Sequence, residues 1–360
     1  MRLLMLSTDR KILDPATQVA ERTRGYASFC EELCIIVAGT GTYLDSTSGN
    51  VHLLFPGGKT KFENFVNMAL MARASARAMS ATIVTAQDPF FTGLVGVCAA
   101  YAVRAPLQIQ IHTEYFAPAF IFESVRHVAE FLLSFVVIQF ATCIRAVSEH
   151  IARHVRRSTR TNVSVLSIRP SIERFGRDYE RPKEFGTQPV ILTVSRLASE
   201  KRIHLVIGAL KYLKDAHLYV VGDGQEKGAL ATRAMRLGLA ERVHFLGWKS
   251  DVAAYYRHAN CFVQMSSYEG YGISLVEAIA SGTPAVSTAV GIATELPPGS
   301  VTIVPPREYE LSKALIEILD SPAIRSKSRE AGAQFVQSIP SETEYLECYK
   351  QLLHTCRTHA

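Results

Sequence analysis

The chain has 360 residues, 48% hydrophobic and 20% charged, enough for two domains with separate cores, which excludes disorder as its main theme. Seven cysteines, odd in number and without a Cys-x-x-Cys pair, argue against a disulfide framework or a zinc knuckle and fit a reducing cytoplasm. Of the net charge of +6, the excess lies in residues 1–184, with 21 Lys and Arg against 16 Asp and Glu, the remainder holding 18 against 17; this suits an anionic partner, a lipid headgroup surface or a phosphorylated acceptor, with an ordinary solvated surface as the alternative.

Taken in chain order, Met1 to Ser7 reads as a first strand, because charge returns at Asp9, Arg10 and Lys11, too early for a signal peptide. Further strands are expected at Cys34–Val37, Val51–Phe55, Thr82–Thr85, Leu107–His112, Cys143–Val147 and Val163–Ile168, with helical stretches between them. The stretch from Phe120 to Ala141 is the most apolar, but Glu123, Arg126, His127 and Glu130 keep it short of the roughly 18 uninterrupted apolar residues of a spanning helix. Its segment Ile121 to Val137 can form an amphipathic helix with a wide apolar side, so a cytoplasmic protein, soluble or peripheral on the cytoplasmic membrane face, is expected.

Residues 171–188 carry Pro182, Gly176, Gly186 and many charges and read as a linker. Beyond it the rhythm restarts, with strands expected at Val190–Ser195, Leu218–Val221, Val243–Leu246, Cys261–Gln264, Ala285–Ser287 and Val301–Val304. Strands alternating with helices predict an α/β protein of two parallel-sheet units, 1–170 and 189–340, with ligands at the carboxyl ends of the strands. Residues 341–360 read as a last helix packing back on the first domain.

The most informative segment runs from Ser266 to Val286. Gly270 and Gly272 allow a ligand to approach the backbone, and a helix opening near Ile273 presents free N–H groups and its positive end, which suits a phosphate. Within that apolar helix Glu277 is an anomaly: its carboxylate needs donors, either ribose hydroxyls or a buried salt bridge. A second cluster, Arg196 to Lys201, follows a strand and places two cations to hold a diphosphate. A third, Val220-Val221-Gly222-Asp223-Gly224, is a strand followed by a Gly-x-Gly turn. Lys227 stands where the dehydrogenase fingerprint needs a glycine, which counts against hydride transfer. Phe245-Leu246-Gly247-Trp248 ends another strand and offers backbone groups to a nucleobase.

The run from Pro189 to Val304 resembles the donor-binding lobe of glycosyltransferase family 4, the retaining group of GT-B fold. It has the Arg-Leu-x-x-Glu-Lys loop, the Gly-x-Gly turn, the Phe-x-Gly strand end, and Glu-Gly-Tyr-Gly before a Glu-Ala helix closed by Gly-x-Pro. The resemblance implies two Rossmann-like lobes facing a central cleft, the first on the acceptor side and the second binding the donor. It implies that Arg196 and Lys201 bind the diphosphate, that Glu277 holds the ribose, and that Glu269 contacts the transferred sugar, helped by backbone N–H groups from Tyr271 to Ser274. His112, after an expected strand, is the candidate for the histidine that faces the sugar. The glycine-rich loop that many members carry after the first strand is replaced by Thr8 to Asp14, where Arg10 and Lys11 either hold an anion or are simply exposed.

The function expected is transfer of a sugar, with retention, from a UDP- or GDP-linked donor to a glycan, lipid-linked or other anionic acceptor, in cell-surface polysaccharide or glycolipid synthesis. No Asp-x-Asp metal pair is seen and no separate cofactor or nucleic-acid partner is expected. The alternatives are a non-catalytic nucleotide-sugar-binding protein of the same fold and a nucleotide-sugar epimerase.

Overall fold

A computed structural model describes residues 1–358. The chain divides into two units, Met1–Ser167 with the segment from Pro340 onward, and Ile168–Ile339. In the first unit the strands are β1 (Arg2–Ser7), β2 (Glu32–Val37), β3 (Leu44–Ser48), β4 (Val51–Phe55), β5 (Ile83–Ala86), β6 (Leu107–Ile111), β7 (Cys143–Ala146) and β8 (Asn162–Val165). They form one sheet in the order β3-β4-β2-β1-β5-β6-β7-β8. All neighbours pair in parallel except the β3–β4 hairpin. Leu3, Leu4, Met5 and Leu6 of the central strand are all fully buried, as expected of a parallel strand covered by helices on both faces.

The helix Glu342–Thr358 belongs to this first unit and buries Tyr345, Tyr349, Leu353 and Cys356, a stripe at helical spacing. Tyr349 packs on Tyr26 with ring centroids 4.7 Å apart, and Cys356 is joined to Cys143 of β7 by a disulfide. This pair corrects the expectation drawn from cysteine spacing and removes the support that spacing gave to a reducing compartment. Spacing tests for local pairs, whereas these two lie 213 residues apart and meet only because the last helix covers β7.

Beside them lies Arg145, a fully buried guanidinium that has no carboxylate partner among the described residues. It donates from Nε to the Leu166 carbonyl (3.0 Å), from Nη1 to Gln110 Oε1 (3.0 Å) and from Nη2 to the Tyr345 hydroxyl (2.7 Å). It also lies 4.9 Å from the Tyr349 ring centroid. Hydrogen bonds and aromatic faces thus take the place of a counter-ion.

The second unit has β9 (Val190–Val194), β10 (His217–Val221), β11 (Val243–Gly247), β12 (Cys261–Gln264), β13 (Ala285–Ser287) and β14 (Thr302–Ile303). Its sheet order is β11-β10-β9-β12-β13-β14, parallel throughout. Succession from β9 runs outward one way through β10 and β11, and the other way through β12 to β14. The crossover loops therefore part between β9 and β12, and a crevice opens outside their carboxyl ends. Residues 168–188 hold no regular helix or strand. They are nevertheless anchored within this unit, Phe175 packing edge-on against Tyr256 and Glu184 accepting from Lys249 and Tyr255. Among the described residues no helix is long and apolar enough to cross a membrane.

Candidate active site

The loops singled out in the second half all leave the carboxyl ends of β9, β10, β11 and β12. The loop after β9 begins with Ser195 and Arg196, turns through a short 3-10 segment Ser199–Lys201, and ends at Arg202 in left-handed conformation. It is knitted to its neighbours by backbone hydrogen bonds: Ser195 N–H to the Val221 carbonyl, Leu197 N–H to the Asp223 carbonyl (2.9 Å), and Ser267 N–H to the Glu200 carbonyl (2.7 Å). The close approach requires glycine at 222, where a Cβ would stand 1.9 Å from the Ser195 carbonyl oxygen at φ +133°. Gly222 N–H in turn donates to the Gly247 carbonyl (2.8 Å).

Two cations stand on this frame. The Arg196 side chain is 80% exposed and tethered through Nη2 to Glu200 Oε1 at 3.0 Å, leaving the rest of its planar fork in solvent. Lys201 Nζ is ion-paired to Glu269 Oε1 at 2.6 Å, both side chains only 15% exposed, and Ser266 Oγ donates to the same oxygen at 2.7 Å. The structure thus joins two residues that the sequence reading gave separate tasks. Their charges are mutually neutralised, so Arg196 is the freer of the two cations at this strand end.

The turn from Tyr268 leads into the helix Ile273–Ala280. Gly272, at φ +99°, forms its N-cap without a capping side chain. The N–H groups of Ile273 and Ser274 have no protein acceptor among the described residues, the usual state of a helix start and the one that receives anions. Tyr271 is buried, and its carbonyl accepts from Ile292 N–H at 2.7 Å, which pins the turn against Gly291. Gly270 lies partly buried between Glu269 and Tyr271. Trp248, just beyond Gly247, is 73% exposed.

Glu277 is one and a quarter turns into the helix and half-buried. It forms no salt bridge among the described residues, so the ion-pair alternative finds no partner here; the Tyr256 hydroxyl donates to its Oε2 at 3.1 Å. Burial pushes its carboxyl above the ordinary value, partly opposed by Tyr256 and by the field of Arg174. A raised carboxyl with room for further donors is ready to receive hydroxyl hydrogens.

His112 lies in the first unit, one residue past β6. Gln110 donates through Nε2 to Thr85 Oγ1 (2.8 Å) and the Tyr349 hydroxyl (3.0 Å), so its Oε1 accepts from Arg145 and faces His112 Nε2 at 3.1 Å. An amide oxygen only accepts, which places the imidazole hydrogen on Nε2 and leaves Nδ1 as the acceptor. Burial, and then the positive fields of Arg145 and Arg22, hold its pKa down to about 3. Arg10 lies 5.4 Å from the Phe55 ring centroid, on a 3-10 segment Arg10–Leu13 capped by Asp9; Lys11 is exposed.

Glu200, Ser266, Tyr256, Gln110 and Arg145 are the supporting residues that the sequence reading did not single out. For Arg145 a signal was available, a lone charge in the middle of an apolar strand. Ser266 and Tyr256 leave no such mark.

Two parallel-sheet α/β units, the second with its loops gathered at a switch point, define a protein of GT-B fold. Over 100% of both chains this one matches sucrose-phosphate synthase from Thermosynechococcus elongatus, with TM-score 0.83 at 18% identity. It also matches Anabaena HepE in complex with UDP, with TM-score 0.77 at 18% identity over 99% of this chain and 100% of that one. Residues 176–335 match the model of the family Glycosyl transferases group 1. A stretch of 100 residues is 37% identical to the lipopolysaccharide core biosynthesis glycosyltransferase LpsE of Rhizobium meliloti, covering 28% of this chain and 29% of that one. Four such curated relatives are matched over only 29% to 53% of their own length.

Proposed function

We propose that the protein is a retaining glycosyltransferase of family 4 that moves a sugar from a nucleoside diphosphate onto a glycan or lipid-linked acceptor of surface polysaccharide or glycolipid synthesis. The observation that carries this reading is the gathering of Arg196, Lys201, Glu269 and the start of the helix Ile273–Ala280 at the β9/β12 switch point, with Glu277 short of donors on the same helix. A diphosphate needs cations and N–H groups, and a ribose needs an acceptor for two hydroxyls; both are met within one unit. The fold likeness to HepE, whose structures hold UDP and UDP-glucose, supports a uridine donor, and the likeness to LpsE supports an acceptor of lipopolysaccharide type.

In this reading the bond between sugar and diphosphate breaks as the leaving oxygen gains charge. Arg196 meets that charge with its exposed fork, and Lys201 shares its ammonium between the phosphate and Glu269. The N–H groups of Ile273 and Ser274 point at the same group. Because Glu269 and Ser266 already fix Lys201, little reorganisation accompanies charge development. Glu269 keeps a second oxygen for a sugar hydroxyl, and His112 of the first unit, neutral with Nδ1 able to accept a hydrogen bond, is the candidate for the histidine of the acceptor-side unit. No step here uses a divalent ion.

The test is the transfer rate of Arg196→Ala and Lys201→Ala with a labelled donor. Each substitution is expected to remove roughly 2–4 kcal/mol of transition-state stabilisation, as loss of a preorganised electrostatic contact does. Unchanged rates in both variants would overturn the assignment.

A further inference from the structure

Outside the donor site, Glu114, His150 and His154 form a cluster that the proposed transfer does not use. His150 and His154 are four residues apart on the helix Glu149–Arg156 and share one of its faces, with ring centroids 5.3 Å apart. Glu114, buried in the segment after β6, meets them from the side, its Oε1 lying 2.6 Å from His150 Nε2 and 3.9 Å from His154 Nδ1. One nitrogen or oxygen from each residue falls within 4.8 Å of the others.

We propose that Glu114, His150 and His154 bind a divalent cation of the zinc class. Two imidazoles with one carboxylate are a donor set that suits zinc, cobalt or nickel and not magnesium or calcium, which take oxygen. A tetrahedral ion with ligands at about 2.0–2.2 Å sets them roughly 3.4 Å apart. The cluster already brackets that spacing, so small rotations of the three side chains close it.

A plain ion pair between Glu114 and His150 leaves one feature unexplained. His154 Nδ1 is enclosed by protein and has no hydrogen-bond partner, although the side chain itself is 38% exposed. Leaving a polar atom in that state costs about 1–3 kcal/mol. The ring cannot easily turn away, because it stacks on Phe116, itself held edge-on by Phe131 and Phe135. A cation accepting the Nδ1 lone pair removes the cost, keeps the Nε2 hydrogen toward solvent, and also neutralises the buried Glu114. With three protein ligands, at least one coordination position remains for water or another oxygen.

The test is a titration of the full, chelator-stripped chain with Zn²⁺, followed by competition with a chromophoric chelator, and with Co²⁺, followed by visible absorption. One equivalent of either ion is expected per chain, the cobalt form showing the intense bands of a low-coordinate site. Glu114→Gln, which keeps shape and removes charge, and His154→Ala, which trims a partly exposed ring, are each expected to weaken Zn²⁺ binding by at least about 100-fold, since even outer-shell changes at such sites cost 10–100-fold. His354→Ala, a change to an exposed histidine elsewhere, is expected to leave it unaltered. Absence of binding, or binding that survives either of the first two substitutions, overturns the site.

Discussion

Glu277 stands on an otherwise apolar helix with a single hydroxyl donating to it. Because burial raises its folded-state pKa above that of the unfolded chain, the native form holds the proton more tightly. Its contribution to stability is therefore favourable below the ordinary carboxylate range and falls as pH rises through the interval above it. Ribose hydroxyls donating to the carboxylate reverse the shift, so nucleotide binding should release a proton in that interval. Calorimetry in two buffers of different ionisation enthalpy is expected to show this release in the native protein and not in Glu277→Gln, which should bind the nucleotide more weakly with its fold intact; equal proton release in both would remove Glu277 from the ribose site. The residues around it differ in how visible they are in the sequence. Arg196, Lys201 and Glu277 lie in two short motifs and are singled out by their residue chemistry, whereas the role of Glu269 comes from the family resemblance alone. The supports are contacts across long separations: Arg145 reaches Gln110 across 35 residues and Tyr345 across 200, and no local pattern encodes them.

At the scale of elements, the helix Val125–Val137 presents an unusual surface. Val125 is 89% exposed, and Leu132, Val136 and Phe140 continue the same apolar line at helical spacing, with Phe122 just before it. We propose this stripe as the contact with a membrane surface in the peripheral association that the sequence suggests. Sedimentation with anionic vesicles is expected to recover the native protein and to lose Leu132→Glu, with donor binding retained; equal recovery of both would contradict the proposal. Most strands were readable because they write themselves as apolar runs: Cys261–Gln264 and Ala285–Ser287, buried throughout, begin and end where the apolar pattern puts them, as does the half-buried Val51–Phe55. The exception is β3. Its sequence, Leu-Asp-Ser-Thr-Ser, is exposed throughout, so it carries no apolar alternation, and it exists as a strand because Gly49, at φ +60°, folds it back onto β4. Elsewhere strand ends shift by one to three residues: β8, expected to run to Ile168, stops at Val165, β2 begins at Glu32 and not at Cys34, and at β6 His112 lies just outside the strand.

At the scale of the whole molecule, the chain leaves the first unit near Ser167 and returns to it at Pro340. The return is secured by the disulfide between Cys143 and Cys356, by the buried tyrosines of the last helix, and by the guanidinium of Arg145. The first unit is thereby completed by the last helix, while Arg196, Lys201, Glu269 and Glu277 all lie in the second unit. Calorimetric titration of the full chain with UDP- and GDP-linked sugars tests the proposed reception of a nucleotide-sugar diphosphate by Arg196, Lys201 and the start of the helix Ile273–Ala280. Saturable binding of at least one donor is expected, weakened at least about tenfold by Arg196→Ala and by Lys201→Ala, in line with the roughly 1.4 kcal/mol or more that a charge-assisted phosphate contact contributes. Failure to bind any nucleotide sugar, or equal affinity in all three proteins, would contradict it.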